Sequence, residues 1–247
     1  MLRTLVLVIE ILITAVVTIP YILISLVVGL FSMKARDRMC YGAMRFEFRL
    51  LAFLSGARVH ITGLENIPKD EAVLYIGNHN SFYDIIVTYY LFPGYTAMIS
   101  KKEWEKIPVL AWWMKLLHNL FLDREDIKQG LKVILAAIEE VKSGYSICIY
   151  PEGTRNKTEE DMMQFHEGSF KIATKTGCAV IPVTMYNMES LFEKHFPIVK
   201  AADVYVDFGR PIRPDELQAE DKKHIGAYTR SIMLETYKSL KEKADIK

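Results

Sequence analysis

Cysteine is scarce: the 247 residues hold only Cys40, Cys148 and Cys178. An odd number with no CxxC spacing offers neither a disulfide framework nor a thiolate zinc site. The expectation is a reducing, cytoplasmic setting with the cysteines as small apolar fillers. The chain also lacks GxGxxG, the P-loop pattern and GxSxG, which removes the usual dinucleotide, nucleotide and serine-hydrolase readings. HExxH and Cys/His clusters are missing too, so no metal is expected. There is no internal repeat and no low-complexity linker.

Charge is missing in one place above all. Residues 11 to 33 carry none, and between residues 5 and 31 Glu10 stands alone. As a helix, 11 to 33 would be about 34 Å long, enough to cross a bilayer. Pro20 near its middle removes a backbone donor and crowds the preceding turn, which leaves a kink or a two-helix hairpin open. Glu10 argues against a simple lipid-facing rod. No small-residue cleavage site follows, and the run exceeds a typical signal core, so membrane attachment is expected rather than secretion. Spanning, re-entrant and interfacial geometries all stay open.

Through residue 60 the basic residues are Arg3, Lys34, Arg36, Arg38, Arg45, Arg49 and Arg58, against Glu10, Asp37 and Glu47, seven minus three. Because the whole chain is only +1, the remainder is slightly acidic. Arg38, Arg45 and Arg49 fall near one another at helical spacing, a face suited either to anionic headgroups or to plain solvent. By the positive-inside tendency the following body lies on the cytoplasmic side of the cytoplasmic membrane.

Hydrophobic residues make up 51% of the chain and charged ones 25%, enough for a sizeable core with apolar residues left over for another environment. Two parts are expected: residues 1–55, hydrophobic membrane-associated helices with a basic flank, and 56–247, a catalytic domain. In the second part β-rich runs predict strands at 58–62, 72–76, 95–99, 119–122, 146–150, 180–184 and 204–208. Helical patterns cover 82–92, 109–117, 127–141, 169–176 and 215–243. Such alternation predicts an α/β domain built on a helix-covered, largely parallel sheet.

Four short stretches carry chemistry. GNHNSFYD follows the apolar run AVLYI and places His79 where strand gives way to helix, with Asp84 in the helix's first turn. A carboxylate there can bond one ring nitrogen and leave the other as a base. No serine or cysteine stands by to be activated, so the substrate's own hydroxyl can complete the triad. A purely structural His–Asp bond fits the same spacing. YPEGTRN follows the strand SICIY: Pro151 ends the strand, Gly153 permits a tight turn, and Arg155 offers a planar fork to a phosphate. Glu152 could orient Arg155 or hold the loop, and PEG is also a common turn. Arg124 in LFLDR and Lys101 in SKKEW follow further strands, as phosphate ligands or as solvated charges. Pro182 in VIPV implies an edge, a strand end or a bulge.

In this order HNSFYD, LFLDR, YPEGTRN and VIPV resemble the four motifs of the glycerolipid acyltransferase family, which contains the 1-acyl-glycerol-3-phosphate acyltransferases. The likeness runs from about Gly63 to Val183. HxxxxD alone is a weak signal; the ordered combination with PEGTR is a strong one. The resemblance implies that His79 is the general base and Asp84 its orienting partner. It implies that Glu152, Gly153, Thr154 and Arg155 bind the acceptor, with Arg155 on its phosphate. Arg124 and Lys101 match the second block and the lysine ahead of it, and Pro182 matches the fourth motif. The acceptor hydroxyl would attack an acyl thioester directly, without an acyl-enzyme. The expected acceptor is lysophosphatidate and the donor acyl-CoA or acyl carrier protein. Membrane lipids are expected as partners, nucleic acid is not, and no cofactor is implied. Other acceptors within the family, a membrane-bound thioester hydrolase and a non-catalytic scaffold remain alternatives.

Overall fold

The computed structural model describes residues 1–246. The apolar run forms one continuous helix, α1 (Leu2–Phe31), with Pro20 inside it. The chain reverses at Ser32, whose hydroxyl accepts from the amide of Ala35 and caps α2 (Met33–Ser55). Of the two geometries left open by Pro20, the hairpin is present, but its turn lies twelve residues later. Ser32 supplies an N-cap, which Pro20 cannot. The two helices run antiparallel: Arg3 Nε donates to Leu54 O at 3.1 Å, and Tyr21 Oη to Met39 O at 2.9 Å.

At 30 residues, α1 is long and apolar enough to cross a bilayer. It buries only Leu7, Thr18, Ile22 and Ser25 against the protein and leaves Leu12, Val16, Leu23 and Phe31 among many apolar side chains exposed. Thr18 accepts from Trp113 Nε1, and Ser25 Oγ donates to Ile22 O. On α2, Arg45 departs from the expected basic face: it donates to the carbonyls of Gly94 (2.5 Å) and Pro93 (3.2 Å). Arg38 and Arg49 stay exposed.

The strands are β1 (Ala57–Thr62), β2 (Leu74–Gly77), β3 (Thr96–Lys101), β4 (Leu120–Leu122), β5 (Ser146–Ile149), β6 (Val180–Tyr186) and β7 (Ala202–Phe208), in the order β1-β7-β6-β2-β5-β3-β4. β6, β2, β5, β3 and β4 are parallel; β7 pairs antiparallel with β6 and parallel with β1. Between them come α3 (Tyr83–Tyr89), α4 (Pro108–Leu116), α5 (Ile127–Lys142) and α6 (Lys171–Thr176). The helix predicted over 215–243 divides into α7 (Ala219–Lys223) and α8 (Ile225–Asp245) at His224.

β2 and β5 are buried along their whole length, as central parallel strands covered on both faces must be. Alternation sends Tyr75 and Cys148 into the core under the helical hairpin, with Cys40, Tyr41, Phe92 and Phe208. Leu74, Ile76, Ile147 and Ile149 enter the opposite core with Phe170, Ile172 and Met233. The three cysteines are buried and unpaired.

Pro182 sits in a central strand, opposite Ile76 of β2. Of the placements its imino acid allows, the bulge is the one present. Val180 and Ile212 exchange both backbone bonds, while Gly209 N donates to Pro182 O. Ile181 and Pro182 therefore face three residues, Gly209, Arg210 and Pro211, and the regular ladder is interrupted at the proline.

A polar cluster ties the hairpin to the domain. Buried Asp37 on α2 pairs with Arg36 at 2.7 Å and accepts from Tyr145 Oη. His118, held at φ 60°, stacks on Tyr145 and bonds Glu140 through Nδ1 at 3.1 Å. Burial opposes charge on His118, but the bond and charge of Glu140 and the charge of Asp37 outweigh it and raise its pKa above 6.5. Asp37 is likewise opposed by burial yet held below the usual range by Tyr145 and Arg36. A raised histidine contributes stability fully present below its unfolded pKa and lost as pH rises through the folded one. We expect the wild type's urea midpoint to fall between pH 6 and 8.5 by more than that of His118→Asn, asparagine being chosen because it tolerates positive φ. Equal slopes in the two proteins would remove His118 from the pH dependence.

Candidate active site

Because β2, β5, β3, β4 and β6 are parallel, their carboxyl ends lie along one sheet edge, where open α/β folds place their ligands. Gly77 closes β2. A Cβ there would lie 2.8 Å from the Tyr150 ring, so glycine lets that tyrosine close under the next residues. Asn78 then locks β2 to β6, donating to Met185 O at 2.9 Å and accepting from Met185 N at 2.8 Å.

His79 is held by both its backbone and its ring. Its amide donates to Glu152 Oε1 (2.9 Å), its carbonyl accepts from Asn156 N (2.6 Å), and its Nδ1 lies 2.8 Å from Asp84 Oδ2. The ring stacks on Tyr150, centroids 4.4 Å apart. Asp84, wholly buried in the first turn of α3, also accepts on Oδ2 from the amides of Asn80 and Ser81, both at 2.7 Å. Burial pushes its carboxyl above the ordinary range, opposed by the bond and charge of His79 and by the two amides. A carboxylate oxygen can only accept, so Nδ1 carries the proton and Nε2 is left as the basic nitrogen. Ser81, the hydroxyl closest in sequence, has its Oγ engaged by Glu193 and by Tyr83 N. Among the described residues no hydroxyl or thiol hydrogen-bonds the ring of His79.

Tyr150 to Asn156 forms the facing loop. Gly153 sits at φ 73°, a left-handed position, with His166 3.2 Å from where a Cβ would be. Glu152 is buried and holds the loop, accepting from His79 N and from Met163 N at 3.0 Å. Burial raises its pKa against those two bonds. Of the two roles expected for Glu152, holding the loop is the one observed. Arg155 is oriented by Glu193 instead, at 3.5 Å, with its guanidinium 4.0 Å from the Phe82 ring centroid. Thr154 is exposed on the same loop.

The structure thus brings His79, Asp84, Glu152, Gly153, Thr154 and Arg155 together. Lys101 and Arg124 share the edge at a distance: β3 and β4 lie two and three strands from β2, about 10 and 14 Å at ordinary strand spacing. Lys101 pairs with Glu103 at 2.6 Å. Pro182 lies beside the site's own strand. Three residues of the site were not assigned from sequence: Tyr150 beneath the imidazole, Asn78, and Glu193 in the turns after β6. Glu193 lies at the same carboxyl edge but seven residues beyond the end of β6, and nothing in its own stretch of sequence marks it.

Residues 58–186 match the family model described as Acyltransferase, which is more than half of the chain. The chain belongs to the acyltransferase family. It is 29% identical over 204 residues to the 1-acyl-sn-glycerol-3-phosphate acyltransferase of Borreliella burgdorferi, covering 83% of this chain and 81% of that one. The enzyme of the same name from Saccharomyces cerevisiae is 27% identical over 198 residues, 79% of this acyltransferase and 65% of the yeast protein. The fold is that of the crystal structure of the 1-acyl-sn-glycerophosphate (LPA) acyltransferase PlsC from Thermotoga maritima, with TM-score 0.78 at 23% identity, covering 97% of this chain and 98% of that one. In this chain the His79–Asp84 pair has the geometry of a base and its orienter.

Proposed function

We propose that this acyltransferase moves a fatty acyl group from an acyl thioester, acyl-CoA or acyl carrier protein, to the sn-2 hydroxyl of 1-acyl-glycerol 3-phosphate, giving phosphatidate. The observation that carries it is a histidine whose Nδ1 is bound to a buried carboxylate while, among the described residues, no hydroxyl or thiol hydrogen-bonds its ring. In this reading His79 Nε2 takes the hydroxyl proton as the oxygen attacks the thioester carbonyl carbon. Asp84 stabilises the imidazolium that forms. The tetrahedral oxyanion collapses, the C–S bond breaks, and the imidazolium returns the proton to the leaving thiolate. A thioester is already activated, so one base, proximity and oxyanion stabilisation suffice, and the chemistry calls for no cofactor.

Arg155 with Glu152, Gly153 and Thr154 receives the acceptor's glycerol phosphate, with Lys101 and Arg124 further along the edge and Pro182 shaping the floor. The names of the relatives support this acceptor. The exposed apolar surface of α1 sits in the bilayer on the cytoplasmic face, so that a lipid acceptor arrives, and the product leaves, through the membrane. The test is detergent-purified protein with an acyl thioester and 1-acyl-glycerol 3-phosphate, with phosphatidate and free thiol measured together. Equal amounts of the two are expected. Thiol released in full without acceptor would make the protein a hydrolase and overturn the proposal.

A further inference from the structure

Glu193 bonds both segments of the site, the turn between His79 and Asp84 and the loop that bears Arg155. It lies in a short helical turn, Glu193–His195, after β6. Leu191, two residues earlier, is fully buried and its carbonyl is held by Lys200 N at 2.9 Å, so the segment is anchored to the core. From that anchor Oε2 accepts from Ser81 Oγ at 2.7 Å and Oε1 from Phe82 N at 2.8 Å. Those two residues form the turn between His79 and Asp84. Asp84 grips the same turn from the other side through Asn80 N and Ser81 N. The turn that presents the base is thus clamped between two carboxylates, one buried and one at the mouth.

The same Oε1 meets Arg155 Nη1, at 3.5 Å, too long for a strong charge-assisted bond. Among the described residues Arg155 makes no other side-chain hydrogen bond, so most of its five donors are uncommitted. It borders a recess of about 400 Å³ lined by Asn80, Lys157, Glu189, Lys194 and Tyr237 as well as Glu193. A cap on α3 would need only the bonds to Ser81 and Phe82. A carboxylate placed against the one cation of the PEGTR loop does something more: it competes with any anion for that guanidinium.

We propose that Glu193 is a positioning residue of the acceptor site, clamping the turn that carries His79 and holding Arg155 beside it until the acceptor's phosphate takes the guanidinium. The role rests on the acceptor proposed above. Because one carboxylate serves both the turn and Arg155, phosphate binding and alignment of the base are coupled. The clamp acts on kcat, and the competition acts on the KM for the acceptor.

The test is steady-state kinetics of wild type, Glu193→Ala and Glu193→Gln with 1-acyl-glycerol 3-phosphate and, as the phosphate-free probe, 1-acyl-glycerol, with thermal melting alongside. Alanine loses both amide and hydroxyl bonds, and kcat should fall about 10- to 100-fold with the thioester KM unchanged. Glutamine keeps an acceptor for Phe82 N and can meet Ser81 Oγ with its amide while removing the charge. It should recover most of kcat and lower the KM for the phosphate acceptor by about two- to fivefold, an effect that shrinks in high salt. A merely structural carboxylate would move kcat and melting temperature together and leave that KM alone. A wild type that makes phosphatidate, with Glu193→Ala within twofold in kcat or Glu193→Gln unchanged or raised in acceptor KM, would overturn this role and leave the acceptor standing. No phosphatidate from the wild type would overturn both. Should the alanine variant fail to fold, the glutamine variant alone decides through its acceptor KM.

Discussion

Replacing His79 by alanine is expected to lower kcat by roughly 10²- to 10⁴-fold, the ordinary range for loss of a positioned general base. The loss should come from chemistry, because the residue's structural bonds are made by its backbone: its amide to Glu152 and its carbonyl from Asn156 survive the substitution. Asp84 keeps the amides of Asn80 and Ser81. What goes is the ring stacked on Tyr150 and the bond to Asp84. Melting temperature should therefore move little while phosphatidate formation collapses. Asp84→Asn supplies the companion measurement. The amide oxygen must take the place of Oδ2, where Nδ1 and the amides of Asn80 and Ser81 all donate, so the substitution keeps the bonds but removes the charge that stabilises the imidazolium, and kcat should fall with the fold retained. A His79→Ala protein within tenfold of wild type would remove the histidine from the reaction and return the His–Asp bond to a structural role.

Much of this site was legible because its two main segments are each announced locally. GNHNSFYD and YPEGTRN both follow short apolar runs, and such runs in an alternating β/α sequence predict parallel strands with function at their carboxyl ends. The seven strands lie where the apolar periodicity put them, within a few residues. Adjacency of β2 and β5 was not written in either segment; it comes from strand order, and it is what brings Glu152 to His79 across 73 residues. Glu193 is harder still, since it reaches Ser81 across 112 residues from a stretch with no pattern of its own. Side-chain pairing was open in the same way, with Glu152 free to orient Arg155 or to hold the loop. Glu152 and Arg155 are three apart on one loop, yet they turn to different partners because the turn at Gly153, with φ 73°, separates them. Arg45 sits at helical spacing from Arg38 and Arg49, but the loop at Pro93 and Gly94 claims it. Pro182 and Ser32 show the converse: proline tolerates a central strand where a bulge relieves it, and a serine cap outcompetes a proline as the place to turn a hairpin.

Arg155→Ala is expected to lower kcat/KM for 1-acyl-glycerol 3-phosphate by about 10- to 100-fold, the loss of one or two charge-assisted bonds to a phosphate. Its guanidinium is placed for such a ligand: one face lies over Phe82, one nitrogen is weakly held by Glu193, and the loop that bears it is bonded to the backbone of the base through Asn156. Stacking over an aromatic ring fixes the plane of the fork without using its donors. Lysine at this position should recover only part of the loss, because an ammonium cannot offer two parallel bonds. The decisive control is the acceptor rather than the enzyme. If Arg155 reads the phosphate, removing that phosphate from the substrate should cost the wild type nearly as much as removing the arginine, and the two losses together should be far less than additive. If a neutral acceptor is turned over as fast as the phosphate, there is no phosphate pocket; if the losses simply add, Arg155 does not read the phosphate and the more distant Lys101 and Arg124 are left to do so. Donor KM is the remaining check: a guanidinium that touches only the acceptor's phosphate leaves it constant across these variants.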